Sequence, residues 1–242
     1  LTDAEKEYLT TMYEQEQRAM QHVKKYTVLQ AFTDAKVLKL CFIYFLWVVG
    51  FWGFYFWMPT VLKNLSGWST SLIGGAIPMA AALVVQLIIG HTATVTGDKV
   101  WHVFAALTVG AVGLGLSPFA HNMGVALFLI CLSAIGIHAS MGVWWTIPTT
   151  FLSGPAAAGS IALINSCGNL GGMFGPNMMA WVQAQTGSFA MGYYLMALFM
   201  FSAGLLVLTL KYKVNGTVKE DVHLDTRTNT TGYTGTQPSV TH

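Results

Sequence analysis

Charged side chains are nearly missing from the middle of this sequence. Only four lie between residues 37 and 210: Lys39, Lys63, Asp98 and Lys99. The other eighteen of its twenty-two charged residues lie towards the two ends. A soluble domain carries about 25% charged residues, spread over its surface, whereas this chain of 242 residues has 9%. The distribution therefore excludes an ordinary soluble protein and predicts that the middle segment lies in a lipid bilayer.

Other absences exclude further classes of protein. The formal net charge is only +2 and no basic stripe is present, so the sequence indicates no nucleic-acid partner. The three cysteines lie far apart in apolar runs, without the spacing of a disulfide or zinc framework. No grouping of His, Cys and Glu indicates a metal site, and we expect no cofactor and no catalytic residue. The chain begins with Leu1 in place of a methionine, and we expect it to be a fragment.

Six apolar stretches are long enough to cross a membrane as helices, which takes about 20 residues each. They cover approximately residues 38–62, 71–93, 100–120, 123–152, 157–183 and 189–210. Turn-forming residues separate the stretches, and several of the loops are only a few residues long. We therefore expect consecutive spans to be antiparallel neighbours.

Lysine and arginine predict the orientation of these spans. If the spans alternate in direction, eleven of the twelve basic residues lie on one side and only Lys63 on the other, so both termini should be cytoplasmic. We expect residues 1–36 to form a cytosolic linker, residues 37–211 the six-span bundle, and residues 212–242 a disordered cytosolic tail. A capping pattern at residues 2–5 predicts a helix to about Lys25. Asp34 and the threonine before it could cap the first span.

The fifth predicted span carries the most informative polar side chains. Asn165 and Asn169 are four residues apart and so share one face of a helix. Gly168 and Gly172 have the same spacing and allow another helix to approach closely, and Pro176 predicts a kink. Amides facing lipid would be unfavourable. The asparagines should therefore face protein or a wet cavity, either as contacts between helices or as the wall of a substrate path.

Aromatic and ionisable residues within the spans leave alternatives open. Tyr55, Trp144 and Trp145 could belong to an interfacial belt or could contact a ligand. All ten carboxylates lie outside the spans, so His138 is the one ionisable residue clearly at membrane depth. It is either a neutral imidazole bonded to a neighbouring helix, which we favour, or a titrating or substrate-contacting group.

Several sequence patterns carry a resemblance to a known family: Trp145-Thr-Ile-Pro148, residues 158–172, Gly175-Pro176, Thr186-Gly-Ser188 and the opening Leu1–Lys6. Together they resemble the C-terminal half of the major facilitator superfamily and, more narrowly, its anion:cation symporter family. The resemblance implies an all-α integral membrane protein. Its six transmembrane helices would form the C-terminal bundle of a twelve-helix fold, with the missing N-terminal half as partner.

The resemblance also implies a function. It points to a secondary active transporter that moves a small organic anion, a carboxylate, by alternating access, with a proton as coupling ion and the coupling acids in the N-terminal half. It places Trp145 and Asn165 in the substrate cavity, with Trp144 and Ser166 as neighbours by position, and Tyr55 is a further candidate for substrate contact. The expected location is the inner membrane of a bacterium. The alternatives are a six-span intramembrane enzyme and a channel-like membrane module.

One stretch departs from the family pattern. After the second span of this half, family members usually carry a Ser-Asp-Arg turn, whereas this chain has Ala93, Thr94 and Val95 there. An acid and a base that would brace the cytoplasmic gate are therefore missing. Asp98 and Lys99, which follow closely, could replace them in part.

Overall fold

Helices make up almost all of the computed structural model, which describes residues 2–20, 32–66, 75–150 and 154–210. The helices are α1 (Asp3–Met20), α2 (Ala35–Ser66), α3 (Ile77–Thr96), α4 (Lys99–Leu116), α5 (Met123–Trp144), α6 (Gly154–Asn169), α7 (Gly171–Thr186) and α8 (Phe189–Leu208). Short 3-10 turns follow α4 and α5, at Ser117–Phe119 and Pro148–Thr150. No strand occurs among the described residues, which confirms the predicted all-α class.

Two helix starts in the N-terminal region lie where capping residues predict them. Helix α1 begins directly after Thr2, whose carbonyl accepts the N–H of Lys6 at 3.0 Å. Helix α2 is capped by Asp34, whose Oδ1 accepts the main-chain N–H of Lys36 at 2.7 Å. Some predictions fall outside the described residues: the tail at 212–242, part of the linker at 21–31, and loop or span ends at 67–74 and 151–153.

Five helical stretches are long and apolar enough to cross a membrane: α2, α3, α4, α5 with its 3-10 turn, and α8. They coincide with five of the six predicted spans. The remaining predicted span, residues 157–183, was expected as one span with a kink caused by Pro176. It consists of two helices of 16 residues each, α6 and α7, with Leu170 between them, so the division lies six residues before the proline.

The junction between α6 and α7 lies among residues that weaken a helix. Gly171 and Gly172 follow Leu170 directly, and Pro176 has no N–H to donate to the carbonyl of Gly172. At the junction the Leu170 carbonyl accepts the N–H groups of both Met173 and Phe174, at 3.0 and 3.2 Å, so 3-10 and α-helical bonds share one acceptor. Each helix is about 24 Å long, so only the two in series can cross a hydrocarbon core of about 30 Å.

Turn residues join the helices as the sequence predicts. Gly97 ends α3 and Gly187 ends α7, each in the left-handed conformation, with φ of 71° and 69°. Asp98 and Asn122 then cap the helices that follow, each accepting a main-chain N–H three residues on, at 3.2 and 2.9 Å. Ser188 caps α8 through the N–H two residues on, at 3.1 Å. These caps satisfy donors that lipid could not.

Two long-range hydrogen bonds show that α2 runs antiparallel to α8, and α4 antiparallel to α5. The Nζ atom of Lys39, near the start of α2, donates to the carbonyl of Thr209, just after α8, at 3.3 Å. The Nζ atom of Lys99, at the start of α4, donates to the carbonyl of Thr146, just after α5, at 3.2 Å. The starts of α2 and α4 therefore lie at the same end of the bundle as the ends of α8 and α5.

Small residues bring α4 and α5 into close contact. A Cβ atom added to Gly136 of α5 would lie 2.2 Å from the main-chain nitrogen of Gly110. One added to Gly113 of α4 would lie 2.6 Å from the Oγ of Ser133. Gly110 and Gly113 are buried, as is Ser133. This close contact between small residues is the usual way in which helices associate in lipid.

The outer surface of the bundle is apolar. Along α3 a run of large aliphatic side chains is more than half exposed, including Leu83, Val84, Leu87 and Ile88. A water-soluble surface rarely carries so large an apolar patch, whereas lipid is a suitable solvent for it.

Candidate functional site

Tyr44 of α2 lies at the centre of a cluster of indole rings. The ring of Trp144 stacks on it at a centroid distance of 6.0 Å and an interplanar angle of 15°. Trp145 and Trp47 meet it edge-on, at 5.2 and 5.6 Å. Such pairs contribute about 0.5–1.5 kcal/mol each beyond the area that they bury, so the cluster joins the start of α2 firmly to the end of α5.

The two predicted tryptophans occupy different positions in this cluster. Trp145 is partly exposed, so its ring can reach a ligand. Trp144 has no exposed surface and lies between Tyr44 and Trp47. In this conformation Trp144 therefore supports the cluster from behind, and its contact with a substrate stays a prediction. The Nε1 atoms of Trp47 and Trp144 have no hydrogen-bond partner within the described part of the chain.

Helix α6 packs directly on this cluster through a glycine. A Cβ atom added to Gly168 would lie 1.9 Å from Cδ1 of Tyr44, so only a hydrogen fits there. The close approach brings the polar face of α6 beside the aromatic rings. Gly168 is buried, whereas Asn165, Ser166 and Asn169 are exposed.

The two asparagines of α6 form a pair. The Nδ2 of Asn169 donates to the Oδ1 of Asn165 at 3.0 Å, which confirms that they share one face. This bond uses one of the two N–H groups of Asn169 and leaves both of those on Asn165. A polar pair with donors to spare is unfavourable against lipid, so this face of α6 is suited to a partner or a wet cavity.

Tyr55 belongs to a second layer, formed with His138 of α5. The Oη of Tyr55 and the Nε2 of His138 are 3.0 Å apart, and Phe51 lies against the imidazole with a centroid distance of 5.9 Å. His138 is thus bonded to a neighbouring helix, as the first of its two alternatives expects. Tyr55 lies eleven residues beyond Tyr44 on α2, about 16 Å further along the helix axis.

The structure brings some of the candidates together and leaves others apart. Trp144 and Trp145 meet around Tyr44, and Asn165 and Ser166 lie on the helix that packs against it. Tyr55 contacts His138 in the other layer.

Sequence reasoning missed Tyr44. The available signal was its spacing of eleven residues from Tyr55, which is close to three helical turns and therefore one face of α2.

No three His, Cys, Asp or Glu side chains come together as a possible metal site in the described ranges. The chemistry available to this site is therefore that of amide and indole N–H groups, hydroxyl groups and one imidazole. These groups can orient and partly desolvate a small polar ligand.

Comparison with known proteins identifies related sequences. A sequence model of the Major Facilitator Superfamily matches residues 6–176. A protein of Agrobacterium vitis named for tartrate transport is 36% identical over 211 residues, which are 86% of this chain and 47% of that protein. The inner membrane transport protein RhmT of Escherichia coli is 31% identical over 193 residues, 78% of this chain and 44% of RhmT.

A third relative is named for a different substrate. The quinolone resistance transporter of Acinetobacter baumannii is 33% identical over 186 residues, 76% of this chain and 43% of that transporter. The chain thus spans about half the length of the curated relatives it matches.

Proposed function

The chain belongs to the Major Facilitator Superfamily and is an integral membrane protein, and on this premise we propose that it forms one half of a secondary transporter for a small organic anion. The mechanism is alternating access, in which this bundle rocks against a second one around a central site. The observation that carries the proposal is the Asn165–Asn169 pair, which lies on an exposed face beside the aromatic cluster and has N–H groups without a partner among the described residues. That face suits the interior surface between two halves.

The donors on this face suit a carboxylate. Amide N–H groups bind an anion without placing a permanent charge at membrane depth, where a charge is costly. Asn165 offers two such donors, and the partly exposed Trp145 offers an indole ring against which a small organic acid can pack. Two relatives named for tartrate transport, both from Agrobacterium vitis, support a dicarboxylate of this kind. In this assignment Asn165 and Trp145 contact the substrate, and Ser166, Trp144 and Tyr55 complete or support the site.

A second bundle is required for coupling. Within the described spans no carboxylate lies at membrane depth, so the acid that carries a coupling proton belongs to the partner half. We assign this chain to the C-terminal half, with residues 1–36 as the linker, residues 37–211 as the bundle and residues 212–242 as a cytosolic tail. Both termini face the cytoplasm of a bacterium, in accordance with the eleven basic residues on that side.

An intramembrane hydrolase is a poorer fit to the same residues. Such an enzyme needs a histidine that activates a serine. The Nε2 of His138 is instead engaged with the Oη of Tyr55. Transport is therefore the function that this arrangement supports best.

Uptake of tartrate by the complete gene product in proteoliposomes tests the proposal. Asn165→Ala removes hydrogen bonds to a charged group, so the apparent KM should rise about tenfold or more. Trp145→Ala should also impair uptake, through lost packing against the substrate. Matched controls are Asn177→Ala, which removes an exposed amide of α7 bonded to its own helix, and Trp181→Ala, which removes an exposed indole of α7.

The controls should transport as the wild type does. If Asn165→Ala and Trp145→Ala both leave the KM and the maximal rate unchanged, the site assignment is wrong. If the wild-type protein binds no organic anion at all, the proposed substrate class is wrong.

A further inference from the structure

A cavity of about 530 Å³ lies at the end of the bundle where α3 turns into α4. Gln86, Gly90 and Thr94 line it from one face of α3, since they are four residues apart. Lys99 of α4 and Thr146, just after α5, line the opposite side. The cavity shares no lining residue with the Tyr44 cluster or the asparagine pair.

Three side chains of the cavity can donate hydrogen bonds to a ligand: Lys99, Gln86 and His91. The Nζ of Lys99 donates to the Thr146 carbonyl at 3.2 Å, which holds the ammonium group at the wall. Gln86 has no hydrogen bond among the described residues and so offers a free amide, and His91 adds an imidazole. No carboxylate is among the lining residues that the structure describes. The two threonine hydroxyls are already donated to carbonyls of their own segments, at 2.8 and 2.7 Å.

Glycines leave this space open. A Cβ atom added to Gly90 would have nothing within 4 Å, and one added to Gly142 would meet only the Nε2 of Gln86, at 3.9 Å. The room therefore exists because side chains are missing on both α3 and α5. A larger side chain at Gly90 can fill it without a clash against the main chain.

The cavity also adjoins the lipid-facing surface. Leu87 is one of its lining residues and is 67% exposed. Leu83, one turn earlier on α3, is 59% exposed and continues an apolar stripe away from the cavity along the helix. A mainly apolar pocket that holds a few donor side chains and has an apolar stripe beside it suits a headgroup with an acyl chain, although the pocket alone can hold a small ion.

We propose that this cavity is an oxyanion-binding site, separate from the substrate site, that takes a phosphate or carboxylate group at the membrane boundary. Lys99 supplies the charge, and Gln86 and His91 supply further N–H donors. The oxyanion comes either from the headgroup of an anionic phospholipid or from a free anion in solution. Ion pairing at a partly buried lysine gives such a site its affinity.

Thermal unfolding of the complete gene product in detergent tests the site with three added compounds. They are dioctanoyl phosphatidylglycerol, dioctanoyl phosphatidylcholine and inorganic phosphate. Phosphatidylglycerol should raise the Tm of the wild type more than phosphatidylcholine does, because a binding partner of the folded state stabilises it. If phosphate alone gives the same rise, the source is a free anion. If only phosphatidylglycerol does, the source is the lipid.

Two variants and one control locate the effect. Lys99→Gln removes the charge, and Gly90→Leu fills the space; each should weaken the apparent affinity about tenfold or more. Lys39→Gln is the matched control, since Lys39 also donates to a main-chain carbonyl at the same end of the bundle, at 3.3 Å, but does not line the cavity. Size-exclusion profiles without ligand show whether each variant is folded.

Several outcomes would overturn the proposal. One is that neither phosphatidylglycerol nor phosphate raises the Tm. Another is that Lys39→Gln weakens binding as much as Lys99→Gln, which would show a diffuse surface charge effect. A third is that folded Gly90→Leu protein binds as the wild type does. None of these results depends on tartrate uptake, so the two proposals fail independently.

Discussion

Replacing Gly168 with alanine tests the packing on which the candidate site rests. The new Cβ atom would lie 1.9 Å from Cδ1 of Tyr44, 2.7 Å from Cε1 and 2.8 Å from Cγ. Ordinary van der Waals contact begins at 3.4 Å, so the ring or the helix must move by about 1.5 Å. The ring has little freedom, because Trp144 stacks on one side and Trp145 meets it edge-on. We therefore expect α6 to move away from α2.

The size of the effect follows from two opposing terms. Overpacking a well-packed site costs about 1–3 kcal/mol, and a rigid aromatic neighbour favours the upper end of that range. Alanine in place of glycine returns about 1 kcal/mol of helix propensity. The net destabilisation is roughly 2 kcal/mol, which lowers the Tm of a bundle of this size by roughly 4–8 °C.

Thermal unfolding in detergent and tartrate uptake in proteoliposomes measure the consequence. Gly168→Ala should lower the Tm and reduce uptake, because the asparagine face moves with α6. Gly115→Ala is the matched control, since its Cβ would meet only the Cβ of Ala197, at an ordinary 3.6 Å. It should leave both readouts unchanged or raise the Tm slightly.

A second substitution separates this cause from others. In a Tyr44→Ala background the obstructing ring is gone, so adding Gly168→Ala should no longer destabilise the protein. Two results would refute the reasoning: a Gly168→Ala protein as stable as Gly115→Ala, or a destabilisation that persists without the Tyr44 ring.

Two further predictions concern contacts between helices. Gly136→Ala places a Cβ atom 2.2 Å from a main-chain nitrogen of α4, so it should lower the Tm more than Gly168→Ala does. Gly124→Ala, on the exposed start of α5, is the control and should leave the Tm unchanged. Equal Tm values for the two α5 variants would contradict the packing. Tyr55→Phe removes the 3.0 Å hydrogen bond to His138 and should destabilise by about 0.5–1.5 kcal/mol in denaturant or thermal unfolding. The control is Tyr194→Phe, since Tyr194 is an exposed tyrosine on α8. If the control loses as much stability as Tyr55→Phe does, the hydrogen bond to His138 contributes nothing.

Much of the fold could be predicted from the sequence because its signals are local. The near absence of charge over residues 37–210 identifies the membrane segment. Asp98, Asn122 and Ser188 cap the helices before which they stand, since a capping side chain needs only the N–H groups of the next turn. Gly187 ends α7 in the left-handed conformation that glycine adopts easily.

The sequence was less informative about the candidate site. Asn165 and Asn169 were assigned to one face because their spacing of four requires it, and their hydrogen bond confirms the assignment. The break at Leu170 was missed, since Pro176 and the glycines before it indicate a kink but not its position. Tyr44 was missed as well: its spacing of eleven residues from Tyr55 places it on the same face of α2, but that face is recognised as part of a site only when its neighbours on other helices are known.

The sequence by itself determined that this protein crosses a membrane, where most of its helices begin, and which side chains on α6 share a face. Only the tertiary structure decided that Tyr44 joins Trp145 to Gly168, that Tyr55 meets His138, and that a cavity with three donor side chains opens between α3, α4 and α5. The physical reason is the solvent. Lipid is as apolar as a protein core, so a membrane helix is hydrophobic on every side and its sequence does not mark the face that packs. That face is determined by which helices become neighbours.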